Sequence, residues 1–252
     1  DLKTGKFTPV GTDARWDTDS FDIAPDGSFL VYEKNEGGIS RLYTMDMASG
    51  ATAKLDGIPA GSIGGLQVSD WGEIGFSLTS ARSATDAFSF DPKTRKLTRW
   101  TESETGGLDA SINVEPELVE VKSFDGTSVS GFLYRPDASK FPGKRPMIMS
   151  IHGGPEAQFR PGYLGRNNYL LNELGIAIFY TNVRGSTGYG KTFVNLDNGP
   201  FKREDSVKDV AAYLDVLEKD AALDASRFAV TGGSYGGYMC YASAIRYATR
   251  FR

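Results

Sequence analysis

An apolar run, Phe228-Ala-Val-Thr231, leads directly into Gly232-Gly-Ser-Tyr-Gly236 and then into a helical pattern from about residue 235. A buried strand can turn this abruptly into a helix only where small residues let the backbone fold back on itself. The G-x-S-x-G pattern does so with a serine at the apex of the turn. Upstream, Met147-Ile-Met-Ser-Ile151 and Ile176-Ala-Ile-Phe-Tyr180 are continuous apolar runs, as strands buried on both faces should be. Between them Tyr169-Leu-Leu-Asn-Glu-Leu174 reads as a helix that Gly175 stops. Val207, Val210, Ala211, Leu214 and Leu217 then recur at helical spacing. Ser206 is the expected cap of that helix, with Asp209 as its capping-box partner. Alternating strands and helices predict a doubly wound, mostly parallel sheet.

The first part of the chain reads differently. Phe21-Asp-Ile23, Phe29-Leu-Val-Tyr32 and Leu42-Tyr-Thr-Met45 are short strand-like runs. They are separated by Pro25-Asp-Gly27, Asn35-Glu-Gly-Gly38 and Ser49-Gly50, all good turn chemistry. The pattern recurs weakly at Trp71-Gly-Glu-Ile-Gly-Phe-Ser77, Ala87-Phe-Ser-Phe-Asp91 and Lys93-Thr94. The offset, about 45 residues, is the period of a four-stranded propeller blade. Two such units do not close a propeller, which needs roughly four to eight blades. Blades outside the chain are therefore expected, a β-sandwich being the alternative. Residues 1–112 carry 11 basic and 17 acidic groups, and residues 113–252 carry 17 and 15. This shift places a boundary near 112. A hairpin opens the second unit, with Leu118-Val-Glu-Val-Lys122 and Val129-Ser-Gly-Phe-Leu-Tyr134 joined around Asp125-Gly126.

Composition narrows the chemistry. A net charge of −4 disfavours nucleic-acid binding. One cysteine, Cys240, and one histidine, His152, exclude an internal disulfide, a multi-cysteine zinc site and histidine-rich metal centres. No apolar run approaches the length of a membrane span. No signal peptide is visible. Asn182-Val-Arg-Gly-Ser-Thr-Gly-Tyr-Gly190 resembles a phosphate loop only superficially, since it fits neither the Walker A nor the dinucleotide spacing. Arg184 within it is expected to be an ion-pair partner, and Cys240 a small buried side chain. Neither a cofactor nor a metal is expected.

Ser234 is the candidate nucleophile. The helix that follows directs its positive end at it. The N–H of Tyr235 is one candidate oxyanion donor, and the glycine loop His152-Gly-Gly-Pro155 at the end of an earlier strand supplies another. His152 is not expected to be the base. In a hydrolase with this turn the base follows the serine in the chain, whereas His152 precedes it and leads the glycine loop.

Together these residues resemble the prolyl oligopeptidase family of serine peptidases, and within it the acylaminoacyl-peptidase and dipeptidyl-aminopeptidase-like branch. The resemblance rests on Ser123-Phe-Asp-Gly126 with Phe132-Leu-Tyr-Arg-Pro136, on His152-Gly-Gly-Pro155, on residues 182–190 and on Gly232-Gly-Ser-Tyr-Gly-Gly-Tyr238. It is firm over residues 113–252 and weak over 1–112. It implies an α/β-hydrolase catalytic unit preceded by the last blades of a β-propeller, acting on short peptides. It also implies that Ser234 is the nucleophile, with the backbone N–H groups of Tyr235 and Gly154 as oxyanion donors. Some branches place a tyrosine donor where this sequence has His152. The family's Asp and His lie beyond Arg252, so the resemblance implies a fragment cut at both ends and inactive in isolation. Two other readings remain: an esterase of small acyl esters, and a catalytically dead binding or structural relative. Peptide-bond specificity, oligomeric state and compartment are not specified by these residues.

Overall fold

The computed structural model describes residues 3–7, 16–199 and 201–252. The amino-terminal unit expected at 1–112 thus includes residues that lie outside the description. Two four-stranded antiparallel sheets come first. One contains β1 (Asp17–Ile23), β2 (Phe29–Glu36), β3 (Ile39–Asp46) and β4 (Thr52–Lys54) in chain order. The other contains β5 (Ser62–Val68), β6 (Ile74–Ser80), β7 (Ser83–Asp91) and β8 (Lys96–Arg99), again in chain order. The weak sequence repeat is thus a repeat of sheets. Val31 and Leu42 of the first sheet share one core with Ile63, Ile74, Phe76, Leu78 and Phe90 of the second. Each such side chain, once buried, contributes about 1.5–3 kcal/mol.

Gly37 and Gly38 connect β2 and β3 with φ of +62° and +99°, the left-handed conformations that a two-residue hairpin needs. Gly38 has a second constraint. A Cβ there would come within 3.0 Å of the Phe132 ring. The turn therefore seats the first sheet directly on the rest of the molecule.

The remaining strands form one five-stranded sheet in the order β13-β11-β12-β10-β9. They are β9 (Glu117–Lys122), β10 (Ser128–Tyr134), β11 (Arg145–Ile151), β12 (Ala177–Asn182) and β13 (Leu223–Gly232). The hairpin strands β9 and β10 pair antiparallel, as does β10 with β12, while β12, β11 and β13 run parallel. Helices α1 (Asn168–Asn172), α2 (Lys191–Val194), α3 (Arg203–Leu217) and α4 (Tyr235–Arg246) complete the unit. Both faces of the sheet are covered. Met147, Met149, Ile151 and Phe179 pack with Val207, Val210 and Leu214 of α3 and Met239 of α4. Phe132, Tyr134, Ile178 and Tyr180 pack with Leu171 of α1 on the other side. The apolar runs of β11 and β12 follow from this two-sided burial.

The start of α3 differs from expectation. It begins at Arg203, with Lys202 at the N-cap and no side-chain cap. Glu204 and Asp205 occupy the first turn and favour the helix dipole. Ser206 and Asp209 are fully buried inside the helix and are used for tertiary contacts, which a capping pair at a solvated helix end could not make.

Candidate active site

The parallel strands β11 and β13 end side by side, with Ile151 opposite Gly232. The chain beyond each strand forms one wall of the site. After β13 the backbone turns through Gly233 and Ser234 into α4. Ser234 has φ +54° and ψ −123°, a conformation that costs a non-glycine residue about 1–3 kcal/mol and is held only by its surroundings. Those surroundings are backbone. A Cβ on Gly232 would sit 2.6 Å from the Gly236 carbonyl and 2.7 Å from the Ile151 oxygen, and one on Gly236 would overlap the Ile151 oxygen. These glycines let α4 start against the end of β11, and Ser234 is left exposed at the apex.

The loop after β11 closes on the same point. A Cβ built on Gly153 would lie 3.3 Å from the Ser234 Cβ and 3.8 Å from its Oγ. Gly154 follows with φ +126°. His152 is partly buried, with Nδ1 2.7 Å from the Gly153 carbonyl oxygen and Nε2 2.9 Å from Ser186 Oγ. Burial pushes its pKa below the ordinary histidine range, against the opposing effect of the Gly153 carbonyl. In the neutral ring Nδ1–H donates to the carbonyl and Nε2 accepts from Ser186. Ser186 Oγ also lies 2.6 Å from the Val183 carbonyl, its alternative acceptor. The peptide whose oxygen His152 holds is the one whose N–H belongs to Gly154.

Tyr235 is the first residue of α4, so its N–H has no partner within the helix. Its hydroxyl is 2.7 Å from Ser206 Oγ. The Arg203 guanidinium lies 5.6 Å from its ring centroid and pairs with the buried Asp197 at 2.7 Å. Burial raises the Asp197 pKa, opposed by Arg203.

Arg184 supports the other side of the loop cluster. Its side chain is 2% exposed. It donates to Asp209 through Nε and NH2 at 2.8–3.1 Å and to Asp125 at 2.9 and 3.1 Å, and its backbone N–H also donates to Asp209. Burial works against the guanidinium charge, but the bonds to the two carboxylates outweigh it and raise its pKa. The expected ion-pair role of Arg184 is what the geometry contains. Its principal partner, Asp209, was legible only as a capping residue.

Ser234, Gly154 and Tyr235 are thus gathered at the ends of two adjacent parallel strands. Ser186, Arg203 and Asp197 were not singled out from the sequence, and Ser206 was read there only as a helix cap. Only their place in a glycine-rich loop and a helix that follow a buried strand pointed toward them. Cys240 is half-buried rather than fully buried, because α4 leaves that side of itself open. No group of three or more potential metal ligands occurs among the described residues. No described helix is long and apolar enough to cross a membrane.

An uncharacterized peptidase, YuxL, of Bacillus subtilis is 37% identical over 124 residues, covering 49% of this chain and 19% of that protein. Dipeptidyl aminopeptidase BIII of Pseudoxanthomonas mexicana is 37% identical over 128 residues, 48% of this chain and 18% of that protein. The chain thus spans less than a fifth of these relatives in the matched part. The acylaminoacyl peptidase of Pyrococcus horikoshii matches in structure with a TM-score of 0.76 at 21% identity, covering 98% of this chain and 38% of that one. That likeness is one of fold: an α/β-hydrolase sheet, here in part, preceded by β-propeller blades. The prolyl oligopeptidase family model matches residues 163–252, and it is to that family of peptidases that this stretch of the chain is similar.

Proposed function

We propose that this chain carries the nucleophile and the oxyanion hole of a serine peptidase that cleaves short peptides. The observation that carries the reading is the strained backbone of Ser234 at an exposed strand-to-helix turn, with the Gly153–Gly154 loop against it. Residues 1–112 and 113–252 are the two units, blades and hydrolase part.

Ser234 Oγ attacks the peptide carbonyl and a C–O bond forms as the oxyanion develops. The N–H groups of Gly154 and Tyr235 donate to that oxyanion, a contribution of about 2.7–4 kcal/mol per donor in comparable sites. Collapse breaks the C–N bond, the amine leaves, and water later hydrolyses the acyl-serine. The serine proton must pass to a base and then to the leaving amine. His152 does not serve, since both of its ring nitrogens are engaged at Gly153 and Ser186. It is the only histidine in the 252 residues, so the base comes from outside them, and residues 1–252 alone are inactive.

The test uses the whole natural polypeptide that contains residues 1–252. It should turn over an aminoacyl anilide and form a covalent fluorophosphonate adduct at Ser234, and Ser234→Ala should abolish both. Faster turnover of a short acyl ester than of any peptide substrate would move the reading to an esterase. No adduct at Ser234 would refute both.

A further inference from the structure

The loop that follows the oxyanion glycines is held from two sides. On the sheet side, Phe159 exchanges bonds with the Asn182 side chain at 2.7 and 3.0 Å, and its ring stacks on Tyr180 at 3.8 Å. On the other side the next residue, Arg160, reaches across to the first four-stranded sheet. Its Nε donates to the Gly38 carbonyl at 3.1 Å and its NH1 to Asp19 at 2.8 Å. Its NH2 lies 2.6 Å from Ser40 Oγ and 3.2 Å from Glu33 Oε1. Glu33 and Ser40 are both buried, at 2% exposure. Two residues earlier, Gln158 Oε1 accepts from Asn35 of the same sheet at 2.7 Å. Each of these partners on β1, β2, β3 or their turn is more than 100 residues away in sequence.

A guanidinium presents a rigid planar fork. Bound at several points, it fixes direction as well as distance. It lies six positions after Gly154, and Ala157 in between is tied to Thr187 by one backbone bond of 2.9 Å. We propose that Arg160 is a positioning residue, through which the first β-sheet holds the oxyanion loop and sets the place of the Gly154 N–H relative to Ser234. The inference rests on the serine-peptidase reading above. It adds that the first sheet helps to form the catalytic geometry, so that acylation weakens when this contact is lost.

The test again uses the whole natural polypeptide. Arg160→Met strands the buried Glu33 carboxylate and is expected to lower stability, so the decisive variant is the double substitution Glu33→Gln with Arg160→Met. It removes both charges and should recover most of the unfolding midpoint. The rate of fluorophosphonate labelling at Ser234 and the kcat for a peptide anilide should nevertheless stay down by about 10-fold or more, as for a misplaced catalytic group, with KM little changed. Arg160→Lys, which keeps the charge and loses the fork, should fold and fall in between. A double variant that labels at the wild-type rate would overturn the proposal, as would a rate that simply follows the midpoint across the three variants. A wild-type protein that does not label at Ser234 would overturn the serine-peptidase reading, and this inference with it.

Discussion

Substituting Asp209 by alanine should be among the most damaging single changes in the carboxyl-terminal unit. The Asp209 carboxylate is fully buried and accepts from Arg184 N, Nε and NH2 and from Ser123 Oγ at 2.6 Å. Its removal leaves a guanidinium of 2% exposure with only the Asp125 carboxylate, itself 37% exposed. Breaking a buried pair from one side costs about 3–5 kcal/mol, because the remaining charge stays desolvated. With a urea m-value of roughly 2–3 kcal/mol/M, the midpoint should fall by about 1–2 M. Asp209→Asn keeps the shape and one acceptor and should lose about half as much. The double variant Arg184→Met with Asp209→Leu should recover most of the loss, since apolar side chains in place of a buried pair are often neutral or better. Equilibrium urea unfolding followed by tryptophan fluorescence and circular dichroism checks the series. A midpoint change below about 0.3 M for Asp209→Ala would show that the pair is not desolvated as described. A double variant no better than the single would show that the carboxylate acts through Ser123 and the backbone rather than through the charge of Arg184.

Other expectations follow from the same contacts. Burial depresses the His152 pKa, so below about pH 6.5, the unfolded value, the unfolded chain binds a proton that the folded chain refuses. The contribution is therefore fully present above that pH and is lost as pH falls toward the folded pKa. His152→Gln should flatten the difference in urea midpoint between pH 7.5 and pH 5, and equal slopes for the two proteins would contradict this. Ser234→Gly should raise stability by about 1 kcal/mol over Ser234→Ala by relieving the positive φ, and a thermal midpoint no higher than that of the alanine variant would remove the case for strain. Gly236→Ala should cost at least about 1–3 kcal/mol, because its Cβ meets the fixed Ile151 carbonyl. Gly233→Ala, with nothing within 4 Å of its Cβ, should unfold within about 0.5 kcal/mol of wild type.

Much of the architecture was legible because it obeys short-range rules. The runs 147–151 and 176–180 are apolar but for Ser150 because both faces of their sheet are covered. The period of about 45 residues was visible because each four-stranded sheet repeats its own turn chemistry. The tight turn at Ser234 was legible because glycines on either side of a residue between strand and helix allow a backbone that other residues rarely adopt. What bears on Ser234 from a distance was not legible. Asp209 looked like a helix cap because side-chain caps act within a few residues, whereas its actual partner, Arg184, lies 25 residues away.

The sequence by itself determined the alternation of strands and helices in the second unit and the glycine-built turn at Ser234, since each follows from local sterics or hydrophobic period. Only the tertiary structure decided which groups support that turn. It set Gly153 against Ser234, His152 on Ser186, Tyr235 under Arg203, and Arg160 across to Glu33 and Asp19. These are contacts between parts of the chain 30 to 140 residues apart. Their energies depend on burial and on the direction of a few hydrogen bonds, and neither is encoded in the spacing of residues along the chain.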